Sequence, residues 1–247
     1  MNPASVGFQC PDDVRAGNAG VRRPRRTTGL RVAGQRWGTV TLSLIAVNVA
    51  MFVLTAAQAG IQGFSPLDNY ASGVFQDLQQ VPFYVDQLGD WWRPLTAAFL
   101  HYGPVHLLLN MLSLLVFGSQ LEQILGRARF LTVYLVGVLG GAAAIQLFGA
   151  EFGAVAGAST AIYGLMGAFA VVLVQQKQDL RGILTLLGIN VVISFLPGVS
   201  LIGHLGGLVA GAAAAAVLVG ARRSVPVAAA GVAALTAVLL VLVYAVG

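Results

Sequence analysis

A few polar side chains of this chain stand inside long apolar runs, and their types are those of acyl-transfer chemistry. Ser159 lies in Gly157-Ala158-Ser159-Thr160, with Tyr163 one helical turn further on. His204 lies in Gly203-His204-Leu205-Gly206-Gly207, and His106 and Asn110 stand four residues apart, which stacks them on one face of a helix. A serine hydroxyl is a weak nucleophile until a base takes its proton, and neutral imidazole is the usual base near pH 7. The oxyanion formed on attack needs fixed donors, and a backbone N–H, an Asn amide and a His N–H supply them. No acidic residue falls within a predicted span except Glu122 at an inner end. The set therefore reads as a Ser–His dyad, with Tyr163 available to orient His204 by ring packing.

The elements that carry these residues follow from composition. Of the 247 residues, 57% are hydrophobic and only 9% are charged, against roughly 25% charged in an average soluble domain. Crossing the hydrocarbon core takes about 20 apolar residues as a helix. Seven runs qualify: 39–59, 104–122, 129–148, 157–175, 182–197, 201–220 and 225–246. They are dense in Gly and Ala and do not alternate with polar residues, which excludes membrane β-strands. The predicted fold is all-α, a polytopic membrane helical bundle.

Charge sets the orientation. Of the 14 Lys and Arg residues, all but Arg93 fall before the first span or just after the second, fourth and sixth. Short loops rich in Lys and Arg stay in the cytoplasm, so the N-terminus is expected inside and the C-terminus outside. Asp68, Asp77, Asp86, Asp90 and Glu151 take the opposite side. The net charge of +5 is thus a topology signal, and no nucleic-acid partner is expected. The basic start followed by the run at 39–59 reads as an uncleaved signal-anchor. With even-numbered spans running inward, Ser159, His204 and the His106–Asn110 pair all begin at the same membrane face. That shared depth on three helices is the argument for one site, and a polar cavity opening outward between the second, fourth and sixth spans is expected.

Small residues allow those helices to meet. Gly203, Gly207 and Gly211 recur every four residues, and Gly157, Ala161, Gly164 and Ala168 line the fourth span; such stripes let membrane helices approach closely. Each residue also has a bland reading. A lone Ser in a membrane helix ordinarily bonds its own backbone, and lone His or Asn residues are ordinarily interhelical donors. Trp92-Arg93 alone is an interfacial anchor with a snorkelling cation, and His101 is read as structural. These readings leave the common depth of the three groups unexplained.

The ordered set Trp92-Arg93, His101, His106-x-x-x-Asn110, Gly157-Ala158-Ser159-Thr160 with Tyr163, and Gly203-His204-Leu205-Gly206-Gly207 with Gly211 closely resembles the rhomboid family of intramembrane serine proteases, over residues 40–220. The resemblance implies Ser159 as nucleophile and His204 as general base and acid. It implies an oxyanion hole from the Ser159 backbone N–H, His106 and Asn110, with Trp92-Arg93 structural. The implied substrates are transmembrane proteins cut near the outer end of their span, with no metal or cofactor. Residues 1–37, polar, basic and poor in apolar clusters, are expected to be a disordered cytoplasmic tail; the resemblance implies a six-helix catalytic core (38–220) followed by an extra seventh span (221–247).

Phe8-Gln9-Cys10-Pro11 looks like the end of a zinc ribbon found ahead of some relatives, but Asp12-Asp13 stand where a further cysteine is expected, so no zinc is predicted. The expected setting is the cell inner (plasma) membrane, with the lipid bilayer as partner. Two other functions compete: a non-catalytic relative that binds membrane helices, and a small-solute transporter. Intact Ser159 and His204 disfavour the first. The second lacks both an internal repeat and ionisable groups along the inner halves of the spans. Oligomeric state is not readable from these residues.

Overall fold

The computed structural model describes residues 2–3, 8–12, 15–16, 29–194 and 199–245. The chain divides at residue 33 into two units. Most of the expected tail, and the ends of the expected fifth and seventh spans (195–197 and 246), lie outside the described residues. Within the tail, Asn2–Pro3 pairs antiparallel with Phe8–Gln9, and Gly29–Trp37 is helical.

The second unit is a helical membrane bundle. Among the described residues five helices are long and apolar enough to cross a bilayer: α1 (Thr39–Ile61), α2 (Gly103–Leu125), α3 (Arg127–Phe148), α6 (Leu201–Gly220) and α7 (Val225–Tyr244). Two shorter apolar helices, α4 (Ser159–Gln175) and α5 (Arg181–Ile193), complete the set. All seven fall on the predicted runs. Helix α2 passes through one π-type turn at Leu114–Gly118, the kind of local widening that recurs near functional sites.

Helices α3, α4 and α6 pack against one another at the centre, and their sequences explain how. A β-carbon at Gly207 would collide with the carbonyl of Thr160, one at Gly211 with the backbone of Gly164, and one at Gly167 with the carbonyl of Leu208. On the other face of α6, a β-carbon at Gly206 would strike Gly140 of α3. Backbone therefore meets backbone along the α4–α6 crossing, as small-residue stripes permit. Gly203 departs from the predicted stripe, because its neighbours are Ile145 of α3 and Ser200.

Glu122 ties the start of α1 to the end of α2. Its carboxylate accepts hydrogen bonds from Val40 N (3.0 Å), Thr41 N (2.8 Å) and Thr41 Oγ1 (2.8 Å). These are donors that the first turn of a helix leaves without partners, and a negative charge there also suits the helix dipole. Gly38 precedes this turn at φ 80°, and a β-carbon there would collide with the Glu122 carboxylate. Glu122 is thus a helix cap.

The long loop between α1 and α2 is folded. It contains short helical segments at Pro66–Ala71, Gly73–Leu78, Pro82–Leu88 and Arg93–Thr96. Arg93 is buried, contrary to a snorkelling cation. Its Nε donates to Asp90 Oδ2 at 2.7 Å, its Nη1 donates to the carbonyls of Gln76 (2.7 Å) and Gln79 (3.1 Å), and its guanidinium lies over the Tyr84 ring. A planar cation with several fixed donors suits such a knot, and a lysine would not. Trp92 Nε1 donates to the Asp77 carbonyl at 3.1 Å.

Candidate active site

The loop between α1 and α2 holds the segment that delivers Ser159. Gln80 and Val155 exchange both backbone hydrogen bonds (3.0 and 2.8 Å), Phe83 N donates to the Glu151 carbonyl at 2.9 Å, and Gly157 N donates to the Ala97 carbonyl at 2.9 Å. Because Arg93 holds the carbonyl of Gln79, immediately before Gln80, and that of Gln76 one turn earlier, Trp92-Arg93 supports this segment from a distance. Gly157 then turns with φ 141°, a region that L side chains rarely adopt, and α4 begins at Ser159.

Ser159 and His204 meet. The distance from Ser159 Oγ to His204 Nε2 is 2.8 Å. Tyr163 stacks on the His204 imidazole with ring centroids 4.1 Å apart and planes inclined by 15°. His204 is buried, while Ser159 keeps partial exposure. Both side chains sit in the first turn of their helices, next to the Thr160–Gly207 contact, so the close crossing of α4 and α6 sets their separation.

His106 approaches from α2. Tyr102 N donates to His106 Nδ1 at 3.2 Å, so in the neutral ring Nδ1 is the acceptor and Nε2 carries the hydrogen. A β-carbon at Gly157 would lie 3.1 Å from His106 Nε2 and 3.4 Å from Ser159 Oγ. The missing side chain of Gly157 thus leaves a space between the hydroxyl and an N–H donor. Asn110 is buried, and its Nδ2 donates to the His106 carbonyl at 2.9 Å; the amide has a second hydrogen. The Ser159 backbone N–H, in the first turn of α4, has no intrahelical acceptor.

His101 lies outside the spans, fully buried, with its ring edge-on to His106 at 5.1 Å. Burial, and secondarily the neighbouring His106, push its pKa down to about 3.

Ser194 was not among the sequence candidates. It lies at the end of α5, buried, with Oγ 2.7 Å from His204 Nδ1, 2.9 Å from Tyr163 Oη and 2.8 Å from the Asn190 carbonyl. A serine in an apolar run bonding the carbonyl four residues back is what sequence reading treats as inert. The available signal was that His204 lacked any partner for its second ring nitrogen.

Among the described residues, Ser159 and His106 keep partial exposure where the polar cavity is expected, and a void of about 10 Å³ is lined by Gly157 and Thr160 among others. A larger cavity of about 550 Å³ lies elsewhere, between α4, α5 and α6, and is lined by apolar residues such as Val171, Leu187, Leu208 and Val219.

The bundle thus joins a serine and a histidine on two crossing helices through one hydrogen bond. A family model for the Rhomboid domain matches residues 88–221, and the chain belongs to the rhomboid family. Among similar proteins, RHOMBOID-like protein 6, mitochondrial, of Arabidopsis thaliana is 32% identical over 203 residues, 70% of this chain and 66% of the relative. Rhomboid protease GluP of Bacillus subtilis is 34% identical over 186 residues, 73% of this chain and 35% of the relative. RHOMBOID-like protein 1 of Arabidopsis thaliana is 37% identical over 127 residues, 49% of this chain and 32% of the relative. The chain spans less than two thirds of the length of each.

Proposed function

We propose that the protein is an intramembrane serine endopeptidase that cleaves transmembrane segments near their outer end. The observation that carries this reading is the 2.8 Å contact between Ser159 Oγ and His204 Nε2 under a stacked Tyr163 ring. His204 takes the Ser159 proton as Oγ attacks the scissile carbonyl, then returns it to the leaving amine. The oxyanion develops in the space left by Gly157, beside the His106 Nε2–H and the Ser159 N–H, with Asn110, one turn beyond His106 on the same helix, assigned as a further donor. An anion there also faces the N-terminus of α4, where the helix dipole favours negative charge. No metal or cofactor enters this chemistry.

A helical substrate must unwind locally before its carbonyls can be reached, because they are held in internal hydrogen bonds. The basic loops support a cytoplasmic N-terminus, and with it a site toward the outer face. Relatives named as rhomboid proteases support the same reading.

The test is purified protein reconstituted with a fluorescently labelled single-span substrate, alongside a serine-directed fluorophosphonate with peptide mapping. Cleavage and labelling at Ser159 are expected, and Ser159→Ala and His204→Ala should each lower cleavage by at least about a thousandfold. Variants that cut as well as the parent overturn the proposal. Retained substrate binding without any cleavage or labelling indicates the non-catalytic alternative.

A further inference from the structure

Resting on that reading, we propose that Ser194 is a positioning residue for His204: it fixes the imidazole tautomer and connects the ring to the C-terminal end of α5, where a three-residue triad would carry a carboxylate. Among the described residues Ser194 Oγ has three polar neighbours: His204 Nδ1 at 2.7 Å, Asn190 O at 2.8 Å and Tyr163 Oη at 2.9 Å. A serine hydroxyl has one hydrogen and two acceptor lone pairs. A carbonyl cannot donate, so only one assignment turns all three contacts into hydrogen bonds. Ser194 donates to Asn190 O, and accepts one hydrogen from Tyr163 Oη and one from His204 Nδ1. Any other assignment sets two lone pairs against each other in a buried place, where an unsatisfied polar group is costly.

The consequence falls on the other ring nitrogen. With the hydrogen of neutral His204 on Nδ1, Nε2 presents its lone pair to Ser159 Oγ, as a general base requires. The wrong tautomer would aim an N–H at the nucleophile and could not accept its proton. Tyr163 takes two parts in this arrangement: its ring lies on the imidazole, and its hydroxyl occupies the second lone pair of Ser194.

The same contacts act when His204 becomes positively charged. Ser194 then offers an oxygen to Nδ1–H while its own hydrogen remains on Asn190 O. That carbonyl, which also accepts the Ser194 backbone N–H at 3.0 Å, belongs to the last turn of α5, the negative end of the helix dipole. A cation one hydroxyl away from this end is stabilised without a buried carboxylate, which in a membrane would be expensive before the reaction begins.

The experiment has two arms. With three histidines in the chain, the ring nitrogens of ¹⁵N-histidine-labelled protein are assignable by NMR after single His→Gln substitutions. At neutral pH the parent should show His204 protonated on Nδ1 and bare on Nε2. In the second arm the rate of fluorophosphonate labelling at Ser159 is measured in the parent, Ser194→Ala and Ser194→Thr. Ser194→Ala should label about tenfold more slowly, the scale of losing one buried hydrogen bond, with probe affinity unchanged; Ser194→Thr, which keeps the hydroxyl, should stay close to the parent. An Nε2-protonated tautomer in the parent overturns the assignment, as does Ser194→Ala labelling at the parent's rate. If the alanine variant fails to fold, the parent tautomer and the threonine variant still decide. Absence of Ser159 labelling in the parent counts against the protease reading alone, because the tautomer is read without any reaction.

Discussion

Gly157 and His106 stand so close that a β-carbon on residue 157 would lie 2.9 Å from His106 Cε1. One position thus meets two demands: a backbone at φ 141° and an empty space beside the imidazole. Gly157→Ala imposes backbone strain of about 1–3 kcal/mol and pushes into the volume where the oxyanion is proposed to form. Fluorophosphonate labelling of Ser159 should fall at least about tenfold, with a thermal unfolding midpoint only a few degrees lower. A labelling rate equal to the parent's would show that the space is not used.

Tyr163 separates ring packing from hydrogen bonding. Tyr163→Phe keeps the stacked ring and removes only the hydroxyl that reaches Ser194. Tyr163→Ala removes both. Cleavage should fall a few-fold in the first and at least about a hundredfold in the second. Equal losses would mean that stacking contributes nothing beyond the hydroxyl, contrary to the 4.1 Å ring contact.

Glu122 should matter for stability and not for chemistry. Its two oxygens meet donors from Val40 and Thr41, and Glu122→Gln must set an NH₂ group against one of them. The expected loss is about 1–3 kcal/mol, read as a lower midpoint of thermal unfolding. The cleavage rate per folded molecule should not change. A variant as stable as the parent would remove Glu122 as the link between α1 and α2.

His101 gives the protein an acid sensitivity. Its pKa in the folded state is about 3, below the ordinary 6.5, chiefly because the ring is buried. Between those values the unfolded chain binds a proton that the folded chain does not. Stability is therefore fully present above pH 6.5 and declines as pH falls toward 3, by at most about 1.4 kcal/mol per pH unit. Unfolding midpoints measured from pH 7 down to 5 should drop less steeply in His101→Gln than in the parent. Parallel slopes would contradict this.

The bundle was legible because apolar runs of span length have few alternatives, and every predicted run became a helix. The meeting of residues 159 and 204 was legible for a related reason: topology fixed their depth, and the glycines indicated how near the helices could come. Three features were not legible. Burial of Arg93 depends on carbonyls 14 and 17 residues back, which only the folded loop brings together. The partners of Glu122 are 81 and 82 residues away. Ser194 faces His204 because of how α5 ends against α4 and α6, and no periodicity in α5 records that rotation.

Where Gly207 and Gly211 touch the backbone of α4, no side chain can change rotamer to alter the gap. The spacing of residues 159 and 204 is consequently set by main-chain atoms, like the jaws of a locked caliper. Bilayers of different thickness should leave that spacing alone and displace more peripheral parts, α5 among them, so sensitivity to lipid length belongs to the Ser194 contact and not to the 2.8 Å pair.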